Sequence, residues 1–282
     1  MSSPRTSKAE ELARGLAGHF PDRLPMVRNV LTALRTTLIA VAVWWLIVLV
    51  AKVPAYLLPA PDAIAARFVF LAKSAELTEH IRVTLSEIVI GFGLGGLLGV
   101  ALGWMFVQVP RLGRLLSPLI LLLQTAPKIA IAPLLLLWLG LDMGPKVTLI
   151  AIVTFFPVMA GAMAGFSSVE KSYHDLAQLL RLSRWQRFRR LELPFSLPPI
   201  FAGLRIASTQ AVTAAVVGEL IGATYGLGYL LSLGQENGDA SVVIVAILIL
   251  STIGWGFHEL IRAVERRALS WHVSQRTLGA DI

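Results

Sequence analysis

The chain reads as an all-α, polytopic transmembrane helical bundle of six spans, and three features lead there. Of its 282 residues 56% are hydrophobic and only 15% charged, and the mean hydropathy is +0.72. The apolar residues come in long blocks, not in short alternating runs, which marks a membrane protein and argues against a soluble domain. A hydrocarbon core of about 30 Å takes roughly 20 helical residues at about 1.5 Å each, and six blocks meet that length. With no cysteine there is no disulfide framework, thiolate zinc site or cysteine nucleophile. The net charge of +8 comes from basic residues in loops beside apolar spans, where anionic lipid headgroups explain them better than nucleic acid.

Taken in order, residues 1–35 form a polar, basic tail expected in the cytosol, followed by a membrane domain over 36–265 and a cytosolic tail over 266–282. The spans are expected at about 36–55, 83–107, 116–140, 146–166, 197–223 and 241–261. The first lacks a small-residue cleavage site and is expected to stay as an anchor. Between the first and second lies an outer segment of about 56–82 with room for one amphipathic helix. A long charged loop, 169–195, joins the fourth and fifth spans and carries Lys171, Arg181, Arg184, Arg187, Arg189 and Arg190. With both termini in the cytosol, 18 basic residues fall inside and five outside, which fixes the expected orientation.

Several motifs invite a chemical reading. Gly91-Phe-Gly93-Leu-Gly95-Gly96 satisfies a dinucleotide pattern, yet no strand precedes it and no acid follows at the needed distance. Gly91, Gly95, Gly99 and Gly103 recur at every fourth position instead, a flat stripe for close helix packing. Pro118, Pro127 and Pro133 interrupt the third span, Pro157 the fourth, and Pro198-Pro199 open the fifth. Bent helices with freed carbonyls suit the wall of a translocation path, though a proline can also be a simple kink. His258-Glu259 lacks the second histidine of a zinc motif because position 262 is Arg, so no metal site is expected. No phosphate-loop motif occurs, so any ATP hydrolysis is expected on another polypeptide, and no catalytic residue is assigned.

Lys128 and Arg205 fall inside spans, where a charge is costly, and Glu87 and Glu219 are the candidate partners. Either the cations serve an anion's path or they fix the packing; Arg205, near one end of its span, favours packing. The candidate path residues are Gln124, Lys128, Phe155, Gln210 and Glu219.

In the charged loop, Tyr173, Leu176, Leu179 and Leu180 share one apolar helical face, and a second short helix carries Trp185 and Phe188 among arginines. Composition alone would lay such a helix on the inner leaflet. The spacing is more specific. The segment resembles the EAA loop of binding-protein-dependent ABC importer permeases, with Asp175, Leu176 and Ala177 in place of E-A-A, and with Ser183-Arg184-Trp185 and Leu193-Pro194 in register. Arg181 occupies the position that the family gives to glycine, which strains a left-handed turn there or forces another turn. From about residue 50 onward the chain is most similar to the nitrate, sulfonate and taurine branch. The matching pieces are Leu57-Leu-Pro59-Ala-Pro61, Pro133-Leu with Trp138-Leu-Gly140, Gly203-Leu-Arg205, Glu219 with Gly226-Leu-Gly228-Tyr229, and Glu265-Arg-Arg267 with Trp271.

The resemblance implies the MetI-like permease fold and a homodimer in the bacterial inner membrane. It further implies two cytosolic ATPases using ATP and Mg, and a periplasmic binding protein that hands over a sulfonate, nitrate, taurine or related organic acid. The loop would then be a coupling helix seated in an ATPase groove. Two other classes compete. An ion-driven secondary transporter would show inverted repeats, and none are seen; a non-transporting scaffold would keep no motor.

Overall fold

The computed structural model describes residues 23–270, and every regular element among them is helical. The chain forms two compact units, residues 1–61 and 62–282. The first holds α1, Arg23–Ala51, whose apolar part is Arg35–Ala51. The second holds all the other helices.

These are α2 (Pro61–Ala72), α3 (Ala75–Gln108), α4 (Pro110–Thr125), α5 (Lys128–Leu139) and α6 (Met143–Ser167). The loop follows as α7 (Lys171–Leu179), the single turn α8 (Arg184–Arg187) and a π-turn over Phe188–Glu192. The chain ends in α9 (Leu193–Gly222), α10 (Leu227–Glu236) and α11 (Ala240–Ala268).

Among the described residues four helical stretches are long and apolar enough to span a bilayer: α3, α6, α8 through α9, and α11. The expected third span is not one rod. It is the pair α4 and α5, bent by 101°, and the two count as a fifth span only if taken together. The break falls at Ala126-Pro127, where proline lacks the donor that would continue α4. The expected first span is 17 residues of apolar helix, ending at Ala51 where Lys52 turns the chain at φ +48°. Among the described residues four helices, or five with the bent pair counted as one, pass as spans where six were expected. The second span also begins earlier than expected, because the polar turn from Ala75 through Arg82 continues the helix, and the last runs on to Ala268.

Helix α6 sits between α3 and α9. On one side the glycine stripe of α3 lies flat against it: a Cβ on Gly99 would come within 2.8 Å of the Phe155 carbonyl oxygen, and one on Gly103 within 2.6 Å of Ala162 Cβ. On the other side Gly161 and Gly165 of α6 lie against the Pro199 and Ser196 backbone of α9, and Gly203 of α9 against Pro157. The core between them is made of Ile88, Leu149, Ile150, Ala211 and Ala215, closed by Ala132 and Leu135 of α5. A second core joins Leu77, Leu227, Leu230, Val242 and Leu250 around α10 and α11.

Candidate functional site

The loop end of the bundle carries the first candidate site. Helix α7 closes with the two hydrogen bonds of a Schellman motif, Leu182 N–H to the Ala177 carbonyl at 3.0 Å and Arg181 N–H to the Gln178 carbonyl at 2.9 Å. That motif needs a left-handed residue after the cap, and Arg181 supplies it at φ +48°. Arginine thus keeps the turn a glycine would make.

The next turn is fixed by a capping box. The Ser183 hydroxyl accepts from Gln186 N–H at 3.2 Å, and the Gln186 carboxamide oxygen accepts from Ser183 N–H at 2.9 Å. Trp185 stacks on Phe188 at 5.7 Å, and Phe188 in turn meets Phe166 of α6 and Trp104 of α3. Tyr173 packs on Phe195 at 4.8 Å, while Leu193 and Pro194 form the first turn of α9. Of the coupling candidates, Ala177 is buried and Asp175 and Arg184 are exposed. Leu176, Leu179, Leu180 and Trp185 stand 47%, 81%, 61% and 65% exposed, so the apolar face is uncovered in the single chain.

Glu192 was not singled out from the sequence, yet it anchors the loop. Only 3% exposed, its carboxylate accepts from Arg187 Nε at 2.8 Å, Gln108 Nε2 at 3.1 Å and Trp104 Nε1 at 3.3 Å. A buried carboxylate is tolerable only with such donors. An acid following Arg184, Arg187, Arg189 and Arg190, directly before Leu193-Pro194, was the available signal.

The candidate path lies along one face of α9. A cavity of about 500 Å³ is bounded by Gln124, Pro157, Gly161, Pro199, Gly203 and Gln210, and one of about 320 Å³ by Thr209, Gln210, Thr213 and Val217. Gln210 belongs to both. From Pro199 to Val217 this face is about 27 Å long at about 1.5 Å per residue, close to the thickness of the hydrocarbon. Gln124 and Gln210 thus border the same cavity. Phe155 lines neither cavity; it packs on Phe156, which does face the larger one. The Lys128 side chain lies outside the described residues, as do Arg276 and Trp271.

Glu219 occupies another place altogether, enclosed at the far end of the bundle. Its carboxylate accepts from the Thr84 hydroxyl and from Gly228 N–H, each at 2.6 Å. Thr84 accepts from Leu227 N–H at 2.9 Å, and His80 Nδ1 accepts from Gly226 N–H at 3.0 Å. Gly226 lies at φ +123°, where a Cβ would collide with the Glu219 carboxylate, so only glycine fits. Beside this group Lys146 Nζ approaches Glu87 Oε1 at 2.5 Å, with both side chains buried. The ion partner expected for Arg205 is therefore corrected. Glu87 pairs with Lys146, a residue expected in an outer turn, and Arg205 pairs with Glu265 of α11 at 3.0 Å. The reason is register: the antiparallel helices place residue 205 near the loop end and residues 87 and 219 near the other.

Comparison with known proteins agrees with this architecture. Residues 95–270 match the family described as "Binding-protein-dependent transport system inner membrane component". The formylaminopyrimidine transport permease protein ThiX of Halalkalibacterium halodurans is 36% identical over 78% of this chain and 88% of its own length. A putative aliphatic sulfonates transport permease protein, SsuC of Bacillus subtilis, is 31% identical over 84% and 86%. A bacterial alginate ABC transporter, solved in complex with alginate pentasaccharide-bound periplasmic protein, has a chain that superposes with a TM-score of 0.57 at 16% identity. That match covers 87% of this chain and 98% of the other, and it shows the shared fold.

Proposed function

The chain belongs to the family of binding-protein-dependent transport system inner membrane components, and from that membership we propose that it is the translocation subunit of an ATP-driven importer. It works as a permease dimer, with a periplasmic binding protein on one side and two ATPase chains, holding ATP and Mg, on the other. The N- and C-termini and the loop 169–195 lie on the ATPase side.

The observation that carries this reading is the uncovered face of Leu176, Leu179 and Leu180 on a loop otherwise fixed in place. Exposed leucines on a flexible loop would be an aggregation hazard, whereas here the Schellman turn, the capping box and Glu192 hold them as one rigid knob. Such a knob transmits force into the bundle when a partner grips it. Closure of the ATPases on ATP would draw the two loops together. The motion passes through the aromatic contacts of Phe188 into α3 and α6 and through Leu193-Pro194 into α9. Rocking along the glycine seams then opens the α9 groove to the binding protein, and hydrolysis resets it.

The solute is a small polar molecule, as the substrates named for the relatives suggest. With Arg205 held by Glu265, a preference for anions such as sulfonates, taurine or nitrate rests on Lys128 alone. The polar groups bordering the groove, Gln124, Thr209, Gln210 and Thr213, are amides and hydroxyls, which suit neutral and charged solutes alike and leave selection to the binding protein.

The test is ATPase stimulation in a reconstituted complex. Replacing Leu179 and Leu180 together with Asp places two carboxylates in an apolar groove, at a cost of several kcal/mol when unpaired. Solute-stimulated ATP hydrolysis should fall to the unstimulated level and uptake should cease. Unaltered stimulation would overturn the assignment of the loop, and uptake that follows an ion gradient without ATP would overturn the importer.

A further inference from the structure

A cavity of about 370 Å³ lies away from the α9 groove, at the loop end of the bundle. Its upper wall is Val100, Ala101 and Trp104 of α3 with Phe166 of α6, and its floor is the aromatic pair Trp185 and Phe188. Arg184 is the only charged residue on its border. The guanidinium makes no ion pair among the described residues, in contrast to Arg187, which is committed to Glu192.

We infer that this cavity binds the acyl chain of an anionic phospholipid whose phosphate is held by Arg184. Three observations favour a lipid over a protein segment. Val100 lies two turns inside α3 from its end at Gln108, so the cavity reaches about 12 Å into the apolar length of the helix. A soluble partner stays outside that depth; a hydrocarbon chain is already there. The walls are almost wholly apolar, with one cation at the rim where a headgroup would sit, the arrangement that a lipid's own chemistry matches. Trp104 and Trp185 both line it, and indole rings favour the boundary between hydrocarbon and water.

The site has a mechanical meaning. A chain lodged there would contact α3, α6 and the loop together, at the aromatic cluster through which loop movement enters the bundle. The inference requires only that the chain is embedded in a membrane, so its failure would leave the ATPase result of the preceding section untouched.

The experiment reads tryptophan quenching by lipids with brominated acyl chains. The full chain is reconstituted in phosphatidylcholine vesicles containing either brominated phosphatidylglycerol or brominated phosphatidylcholine. The contribution of Trp185 is obtained by difference from Trp185→Phe. In the unaltered chain brominated phosphatidylglycerol should quench Trp185 about fivefold more effectively per lipid, the ratio expected from one basic residue facing an anionic headgroup. Arg184→Gln should bring that ratio close to one, Ala101→Leu should reduce quenching by both lipids by filling the cavity, and Arg189→Gln, outside the cavity, should change neither. Equal quenching by the two headgroups in the unaltered chain would overturn the site. So would a preference that survives Arg184→Gln or that falls equally with Arg189→Gln. Far-ultraviolet circular dichroism of each variant separates loss of the site from loss of the fold.

Discussion

Arg181 sits at φ +48°, where a residue with a Cβ pays about 1–2 kcal/mol relative to right-handed backbone. Glycine would remove that strain while adding about 0.5–1 kcal/mol of chain entropy lost on folding. Arg181→Gly should therefore stabilise the purified chain by about 0.5–1 kcal/mol, seen as a higher thermal midpoint. Arg181→Val should lower it, because a β-branched side chain crowds the left-handed region further. A valine variant as stable as the arginine chain would show that the turn relaxes in solution. The resemblance to the EAA loop implied a glycine position, and with it a left-handed turn, at Arg181. That it would accept this turn, and not force another, was not legible, because the choice depends on the paired carbonyls of Ala177 and Gln178.

Helix packing follows the glycines. Gly91, Gly95, Gly99 and Gly103 all lie in the seam with α6, whereas Gly93 faces open space. Gly99→Leu should force α3 and α6 apart and cost several kcal/mol, enough to lower the thermal midpoint sharply or prevent assembly. Gly93→Ala meets nothing and should instead stabilise α3 by about 0.5–1 kcal/mol. The contrast can be read by thermal melting in detergent, and equal effects from the two would remove the stripe from the packing. The stripe itself was readable as a four-residue period. The second seam, made by Gly161, Gly165 and Gly203, was not, because the four-residue spacing occurs only once there and the third glycine comes from another helix. The bend at Pro127 shows the same limit: three prolines announced an interrupted span, but only packing against α6 and α9 selects which one turns the chain through 101°.

At the scale of the whole molecule, most of what the sequence offered as separate fragments turns out to be paired. Gly203-Leu-Arg205 and Glu265-Arg-Arg267 are joined by the Arg205–Glu265 ion pair, and Glu219 is clasped by Gly226-Leu-Gly228. The ion pairs were hidden because partners about 60 residues apart meet only where separate helices come into register. Glu87 and Lys146 are the clearest case. Removing one charge of such a buried pair typically costs about 3–5 kcal/mol, whereas removing both can be nearly neutral. Lys146→Met should thus destabilise the chain strongly, and adding Glu87→Gln should recover much of the loss in denaturant titrations. Additive losses would show that the two do not act as a pair. The same arrangement bears on how the polypeptide is made. A nascent chain that has released α3 into the bilayer holds the Glu87 carboxyl without its counter-charge until translation delivers Lys146, and the seat for Glu219 is closed only when Gly228 follows. Until Lys146 arrives the inserted helix carries a buried acid without that ion partner, so the order of synthesis sets when its cost is relieved.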